Sequence, residues 1–212
     1  MTPEGRTPGR ASPASWTTYR SSIGDRSAVF AAIAQAYGST RALYPGSYLD
    51  LAPSTAIATV TYVDTDRRAA RFFADEARVR AELEGRTPPG FTPEVRFWHL
   101  DYTRQLPLPD ADVDLLISLY AGPVWDHCHR YLAPRGLLLA NTSHGDACLA
   151  ALDPRLELVA AVHHREGRYR LDDSALDGYL RPTRPADADR IRAQGRGIRY
   201  TRSAFAYLFR LT

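Results

Sequence analysis

Short apolar runs alternate with amphipathic stretches along most of the chain. Two of these runs, Ala42-Leu43-Tyr44 and Val60–Val63, end in loop-forming residues, and Leu115–Tyr120 is a dense apolar run typical of a buried central strand. Apolar residues at helical spacing follow Asp25 and again follow Asp66, two residues suited to helix N-caps. This alternation predicts an α/β fold with a mostly parallel sheet and helices on both faces.

The pattern also predicts where each element lies. We predict strands at 41–45, 59–64, 95–100, 115–120, 137–140, 156–163, 168–171 and 204–211, and helices near 25–37, 67–84, 123–132, 146–152 and 174–180. Gly167 is placed to turn a hairpin between two of the last strands, which predicts an antiparallel C-terminal edge on the sheet.

Composition changes sharply at the two ends of this pattern. Residues 1–20 are rich in Pro, Gly, Ser and Thr at their start and are predicted to form a flexible N-terminal segment. Residues 21–212 are predicted to form a single α/β domain. Within it, the Pro-, Arg- and Asp-rich stretch 181–197 is interpreted as an insert that could act as a lid.

Charge and cysteine content narrow the class of protein. All 27 basic residues are arginine, the net charge is only +3, and no dense basic block occurs, so we expect no nucleic-acid partner. The arginines of the C-terminal quarter indicate either solvated surface or a patch for an anionic substrate or partner.

No run approaches the roughly 18 apolar residues of a membrane span. The start of the chain lacks a secretory signal, and the two cysteines show no metal-ligand spacing. We therefore expect a cytoplasmic protein without a membrane anchor or a metal.

Residues 95–140 carry a motif order that resembles a known family. An apolar strand ends in Asp101, a Leu-Pro segment at 106–110 follows, and an Asp-led apolar strand then runs to Ser118. The segment Arg130–Gly136 precedes the next strand. In this order and spacing the chain resembles the class I S-adenosylmethionine-dependent methyltransferases. The resemblance implies a Rossmann-like methyltransferase fold over about residues 40–212.

The resemblance also implies a cofactor site for S-adenosylmethionine. Asp64, with Thr65 beside it, would accept hydrogen bonds from the two ribose hydroxyls, because a carboxylate offers two oxygens to a vicinal diol. Asp101 would accept from the adenine amino group, and Tyr102 would lie against the ring. Ser118 would lie near the sulfonium. The sequence alone leaves open that Asp64 and Asp101 are turn residues and that the tyrosine is a packing aromatic.

The turn after the first strand departs from the family pattern. One alignment places it at Leu49–Ser54, which leaves only 14 positions between Asp50 and Asp64, too few for a strand end, a turn, a helix and a new strand. The other alignment uses Leu43–Tyr48, which gives the expected spacing of 20 positions. Tyr44 then replaces an acid, Gly46 is retained, and Tyr48 replaces a glycine. In this alignment the resemblance implies that Tyr44, Gly46 and Ser47 contact the cofactor. A ring at Tyr48 would leave the cofactor in an altered pose, weakly bound or unbound.

Several polar residues at the predicted strand ends are candidates for catalysis. His144 is the favoured general base because its intrinsic pKa lies near neutrality, and Asp146 either orients it or caps the next helix. Tyr120 and Tyr48 are the candidate acids beside them. The Asp126–His129 helix matches no common zinc pattern.

Three functions follow from these residues. The first is a methyltransferase acting on a small molecule. The second is a repurposed member of the fold that catalyses an elimination, cyclisation or hydrolysis, for example in secondary metabolism. The third is a non-catalytic partner of another enzyme, for which a homodimer or a heteromeric complex is the expected assembly.

Overall fold

A computed structural model describes residues 14–212 of the chain and contains an eight-stranded sheet; residues 1–13 lie outside the described part. The strands are β1 (Arg41–Pro45), β2 (Thr59–Val63), β3 (Glu94–Trp98), β4 (Val113–Ser118), β5 (Leu132–Ala140), β6 (Leu156–Arg165), β7 (Arg168–Asp172) and β8 (Ala206–Leu211). The α-helices are α1 (Trp16–Ile23), α2 (Ser27–Tyr37), α3 (Arg67–Phe73), α4 (Glu76–Leu83), α5 (Val124–Cys128), α6 (Asp146–Ala150) and α7 (Ala188–Gln194). Short 3-10 turns occur at Ala52–Thr55, His129–Tyr131 and Leu176–Gly178.

The order of strands across the sheet is β3-β2-β1-β4-β5-β8-β6-β7. The first five strands pair in parallel, whereas β8 pairs antiparallel with both β5 and β6, and β7 pairs antiparallel with β6. The parallel part has the doubly wound order in which the chain reverses direction across the sheet between β1 and β4. The predicted Rossmann-like α/β fold with an antiparallel C-terminal edge is therefore confirmed.

Helices cover both faces of the central strands. Successive residues of β1 point to opposite sides, so that Tyr44 packs in the same cluster as Phe30 of α2, and Leu43 packs with Trp125 of α5. Burial on both faces explains why these strands are nearly continuous apolar runs. Within residues 14–212, no helix combines the length and the apolar character needed to cross a bilayer.

The predicted helix over 67–84 is two helices in the structure. Asp75 separates them, because its side chain accepts a hydrogen bond from the backbone N–H of Arg78 at 3.0 Å and so caps α4. Alongside, a groove of about 700 Å³ lies between α4 and the edge strand β3 and is lined by Phe73, Val79 and Phe97 among others. It is remote from the strand ends considered below.

The folded domain begins before residue 21, where the sequence predicted its start. Ser15 caps α1, and Trp16 at the first position of that helix is fully buried. The backbone N–H and hydroxyl of Thr17 both hydrogen-bond the carboxylate of Glu82 on α4. The first helix is therefore docked on the domain, and the remainder of the predicted flexible segment lies outside the described residues.

The insert at 181–197 contains α7 and packs on the loop that follows β5. A Cβ placed on Gly197 would lie 2.1 Å from the carbonyl oxygen of Thr142, so this backbone approach requires glycine. Arg192 of α7 makes a two-pronged ion pair with Asp126 of α5, with N–O distances of 2.7 and 2.9 Å. The insert thus covers one side of the strand ends, and its role as a lid stays a prediction.

Candidate functional site

The ends of β1, β2, β4 and β5 meet at one edge of the sheet, which we call the carboxyl edge. In open parallel sheets, ligands bind in the crevice where the strand order reverses, which in this chain lies between β1 and β4. We call this position the switch crevice; its walls are the turn at 46–48 and the loop at 119–122. β1 ends at Pro45, so the turn after it is the one that the second alignment predicted.

The turn after β1 lies directly against the loop after β4. Gly46 has a positive φ of 64°, and its N–H donates to the carbonyl of Val63 at 2.8 Å. A Cβ on Gly46 would lie only 2.5 Å from the Cβ of Ala121 and 3.3 Å from its Cα. The close backbone approach that glycine permits is therefore used to bring two segments of the protein together.

Asp64 is directed toward the same turn. One carboxylate oxygen accepts the N–H of Tyr48 at 2.7 Å, and the other accepts the N–H of Asp66 at 2.8 Å. Thr65 beside it is exposed, and its carbonyl oxygen lies 2.9 Å from Nε2 of His99. The carboxylate predicted to hold a ribose thus holds the backbone of its own loops.

Tyr48 stands where the family pattern has a glycine, and it keeps a glycine-like conformation with φ of 47°. A bulky residue has a conformational cost in this region, on the order of 1–2 kcal/mol. Its ring packs edge-on against Tyr19 of α1, with the ring centroids 5.0 Å apart. The first helix and the turn therefore close over the crevice together.

Tyr102 bridges the loops after β3 and β4. Its hydroxyl donates to the carbonyl of Ala121 at 2.7 Å, and burial raises the pKa of this phenol to about 12. The neighbouring Asp101 is exposed and accepts hydrogen bonds from the hydroxyl and N–H of Thr103, which lower its pKa. Tyr102, which the resemblance places against an adenine ring, thus joins the loop after β3 to the loop after β4 through its hydroxyl.

These contacts test whether the crevice fits S-adenosylmethionine. The resemblance requires room at the turn after β1, a carboxylate after β2 that accepts from the ribose, and space for an adenine ring against Tyr102. In the structure Gly46 abuts Ala121, Asp64 accepts two backbone N–H groups, and the Tyr102 hydroxyl is bonded to the carbonyl of Ala121. The residues present do not fit the cofactor in this arrangement.

Alanine at position 46 should measure how tightly this contact is packed. We expect Gly46→Ala to lower the free energy of unfolding by about 2–3 kcal/mol, because the new methyl meets Ala121 and the φ is positive. Gly38→Ala is the matched control, since Gly38 has φ of 70° and an added Cβ there would meet no described atom within 4 Å. Urea titration measures both. If both variants lost the same free energy of unfolding, the contact between position 46 and Ala121 would not be tightly packed.

Asp146 lies beneath the loop after β4 and is almost fully buried. Its carboxylate accepts the N–H of Trp125 at 3.2 Å and lies within hydrogen-bonding reach of the Ser118 hydroxyl, which also reaches the carbonyl of Gly122 at 3.4 Å. Burial raises its pKa to about 7, although these donors act in the opposite direction. This carboxyl group can therefore gain or lose a proton near neutral pH.

The structure does not join His144 to Asp146. His144 is exposed, whereas Asp146 points inward at the first position of α6, after Gly145.

Cys128 lies near the carboxylate of Asp146. Burial raises the pKa of its thiol to about 12, and the negative charge of Asp146 acts in the same direction. That cysteine is an inert, protonated thiol. Among residues 14–212, no group of three or more His, Cys, Asp or Glu side chains is placed to hold a metal ion.

A buried ion pair next to the crevice was missed by the sequence reasoning. Arg26, just before α2, donates from Nη1 to Asp50 at 3.1 Å, and both side chains are at most 5% exposed. The hydroxyl of Tyr44 donates to the same Asp50 oxygen at 3.3 Å. Burial raises the pKa of Asp50, although the charge of Arg26 opposes it. The rejected alignment contained Asp50, but nothing in the local pattern linked it to an arginine 24 positions earlier.

Tyr120 covers this ion pair from outside. Its ring lies over the guanidinium of Arg26 at 4.9 Å, a cation–π contact, and 47% of the residue is exposed. Its φ is 62°, which is strained for a tyrosine, and its N–H makes a long hydrogen bond of 3.4 Å to the side chain of Asn141. Of the predicted catalytic residues, Tyr120 thus lies over the buried Arg26, Tyr48 lies against the half-buried Tyr19, and His144 is exposed.

Comparison with known proteins gives a likeness of fold. No family model and no curated protein matches the chain. The YcgJ protein of Bacillus subtilis is 20% identical with a TM-score of 0.41, over 59% of this chain and 54% of that one. An arsenic(III) S-adenosylmethionine methyltransferase of Chlamydomonas reinhardtii is 21% identical with a TM-score of 0.39, over 48% of this chain and 38% of that one. The chain therefore spans about half or less of the length of these two structures.

A fuller overlap is found with the N-methyltransferase NodS of Bradyrhizobium japonicum. It is 11% identical with a TM-score of 0.48, over 92% of this chain and 96% of that one. At these identities the likeness concerns the fold alone, and the strand order by itself identifies this chain as a Rossmann-like α/β protein.

Proposed function

We propose that this chain is a small-molecule enzyme that uses a methyltransferase-like fold for acid–base chemistry without a methyl donor. The observation that carries the proposal is the closure of the switch crevice, in which Gly46 lies against Ala121 and Tyr102 bonds to the carbonyl of the same residue. Groups that a nucleoside cofactor would use are hydrogen-bonded or packed against the protein itself, in the case of Asp64 to two backbone N–H groups.

Two buried carboxyl groups at this edge have raised pKa values, as acid–base chemistry requires. The pKa of Asp146 is about 7, so near neutral pH it is present in both protonation states. Asp50 is held between Arg26 and the Tyr44 hydroxyl, which together form a short chain of hydrogen bonds. Elimination, cyclisation and hydrolysis are the reaction classes that such groups serve.

A second candidate, an S-adenosylmethionine-dependent methyltransferase, is favoured by one observation. Asp64 stands at the end of β2, next to the turn after β1, and it is only half-buried. This is the position from which an acid binds a ribose in dinucleotide-binding sheets. The two candidates differ in whether the cofactor binds.

A titration with S-adenosylmethionine distinguishes them. For the wild type we expect no heat of binding and no rise in Tm at about 1 mM ligand, because the crevice is filled. Asp64→Asn is the matched variant, since it keeps the size of the side chain and removes the charge. Binding by the wild type that Asp64→Asn abolishes would overturn our proposal and establish the methyltransferase candidate.

A further inference from the structure

The guanidinium of Arg26 is buried with unused hydrogen-bond donors. Nη1 donates to Asp50, whereas Nε is buried and has no partner among residues 14–212. A guanidinium carries five N–H donors in one plane. Asp50 has little capacity left, because one of its oxygens accepts the N–H of Ala52 and the other already accepts from Tyr44. The chain therefore supplies fewer acceptors than this buried cation can use.

Other unpartnered polar atoms occur in the same part of the molecule. In the described part of the chain, the buried side-chain nitrogen and oxygen atoms without a partner all belong to residues between Trp16 and Ser27 or to Ser47. The turn that holds Ser47 is in contact with α1 through the Tyr19–Tyr48 ring pair. Buried polar atoms are normally satisfied, so the unpartnered Nε of Arg26 and the hydroxyl of Ser47, whose carbonyl accepts the N–H of Asp50, indicate a place for a polar ligand.

Tyr120 lies over the guanidinium of Arg26, with the ring centroid 4.9 Å from its central carbon. It is exposed, its backbone is strained, and it contacts the cation through the face of its ring. A residue held in a sparsely populated conformation at a strand end is typical of a site that changes on binding. Movement of the Tyr120 ring would remove this contact, and the Arg26–Asp50 hydrogen bond does not involve Tyr120.

We propose that Arg26 binds the carboxylate of a small aromatic acid, which enters when the Tyr120 ring moves aside. A planar carboxylate matches the edge of a guanidinium with two parallel hydrogen bonds. Tyr19 and Tyr48, which pack edge-on against each other, supply aromatic surface for the body of the acid. This inference deepens the proposed function and rests on it, since it names the substrate class of that site.

Benzoate is the probe for this site, with the full chain as the protein. We expect calorimetry to give a Kd of about 1 mM or below and a rise in Tm, and we expect benzamide, which lacks the charge, to bind at least about tenfold more weakly. Inorganic phosphate distinguishes a general oxyanion site from a carboxylate site. Phosphate binding as tight as that of benzoate would overturn the assignment to an aromatic acid.

Variants locate the binding. Arg26→Met combined with Asp50→Leu removes both charges together and should weaken benzoate about tenfold or more. Arg41→Met is the matched control, because Arg41 lies at the opposite end of β1 and pairs with Asp112. Tyr120→Ala should bind benzoate at least as tightly as the wild type, since no ring has to be displaced. Unchanged affinity in the double variant would overturn the proposal.

A further variant keeps the test decisive if the double variant does not fold. Arg26→Lys retains a cation beside Asp50 but loses the planar pair of donors, and it should also weaken benzoate about tenfold. No binding of benzoate to the wild type at about 10 mM would overturn the inference while leaving the proposed function untouched. Binding of both benzoate and S-adenosylmethionine would instead overturn the proposed function and leave the anion site standing.

Discussion

Replacing Arg26 by methionine should lower the free energy of unfolding by about 3–5 kcal/mol, the usual loss when one member of a buried ion pair is removed. Arg26 and Asp50 are at most 5% exposed, so the Asp50 carboxylate would remain in the interior without a cation. The hydrogen bond from Tyr44 offsets only part of its desolvation. Urea titration with tyrosine fluorescence or circular dichroism measures the change.

The loss should depend on pH. Burial already raises the pKa of Asp50, and removal of Arg26 raises it further. A carboxyl group whose pKa is higher in the folded state than in the unfolded state costs stability as pH rises above the unfolded value of about 4. The Arg26→Met variant should therefore be closer to the wild type at pH 5 than at pH 8.

A second substitution separates the charge effect from the loss of packing. Adding Asp50→Leu to Arg26→Met should recover most of the stability, because no unpaired charge is then buried. Recovery should be incomplete, since the Tyr44 hydroxyl loses its acceptor, at a cost of about 1 kcal/mol. If the double variant were no more stable than the single one, packing and not charge would be the reason for the loss.

The substitution Asp146→Asn should make the protein more stable above neutral pH, by up to about 4 kcal/mol. The pKa of Asp146 is about 7 in the folded protein against 3.8 without burial, a difference of roughly 3 pH units at about 1.4 kcal/mol each. Between pH 4 and 7 the folded state binds more protons than the unfolded state, so wild-type stability falls as pH rises. The asparagine side chain cannot ionise and still offers an oxygen to the N–H of Trp125.

Asp153 provides a control of opposite sign. Arg155 and the indole N–H of Trp125 hydrogen-bond its carboxylate, and these contacts lower its pKa. We therefore expect Asp153→Asn to lower the free energy of unfolding at pH values above about 4, the pKa of the unfolded state. The loss should become smaller as the pH falls below that value. Denaturant titrations at pH 3, 5 and 8 test the pair, since the effect of Asp146→Asn should change between pH 5 and pH 8 and that of Asp153→Asn between pH 3 and pH 5. A stability difference for Asp146→Asn that is the same at both pH values would contradict the burial argument.

The sequence predicted the parallel part of the sheet well because each central strand is a local signal. Leu115–Tyr120 is apolar at every position except Ser118, as a strand covered on both faces must be. The split between α3 and α4 was missed because Asp75 is a single polar residue inside an otherwise helical pattern. Its side-chain bond to Arg78, which the pattern does not reveal, identifies it as a cap.

The candidate site was harder to predict because its contacts join distant positions. Gly46 and Ala121 are far apart in the chain, and neither residue type indicates that the two backbones touch. Tyr48 could be recognised as a departure from the family pattern, but its packing against Tyr19 could not. The Arg26–Asp50 pair carries no sequence signature at all, since it depends on how α2 is placed over β1.

Ala121 occupies a position that limits how this fold could change its ligand. Its Cβ is the atom that a side chain at position 46 would contact, and its carbonyl oxygen accepts the hydrogen bond from the Tyr102 hydroxyl. Tyr48, in the turn after β1, lies at the same crevice. Variants that change only one of these positions would keep part of the contacts across the crevice and lose the packing of the rest. Under the function proposed above, conversion to a nucleoside-binding form therefore requires concerted changes at positions 48, 102 and 121. Combinatorial variation at those three sites is the efficient way to explore it.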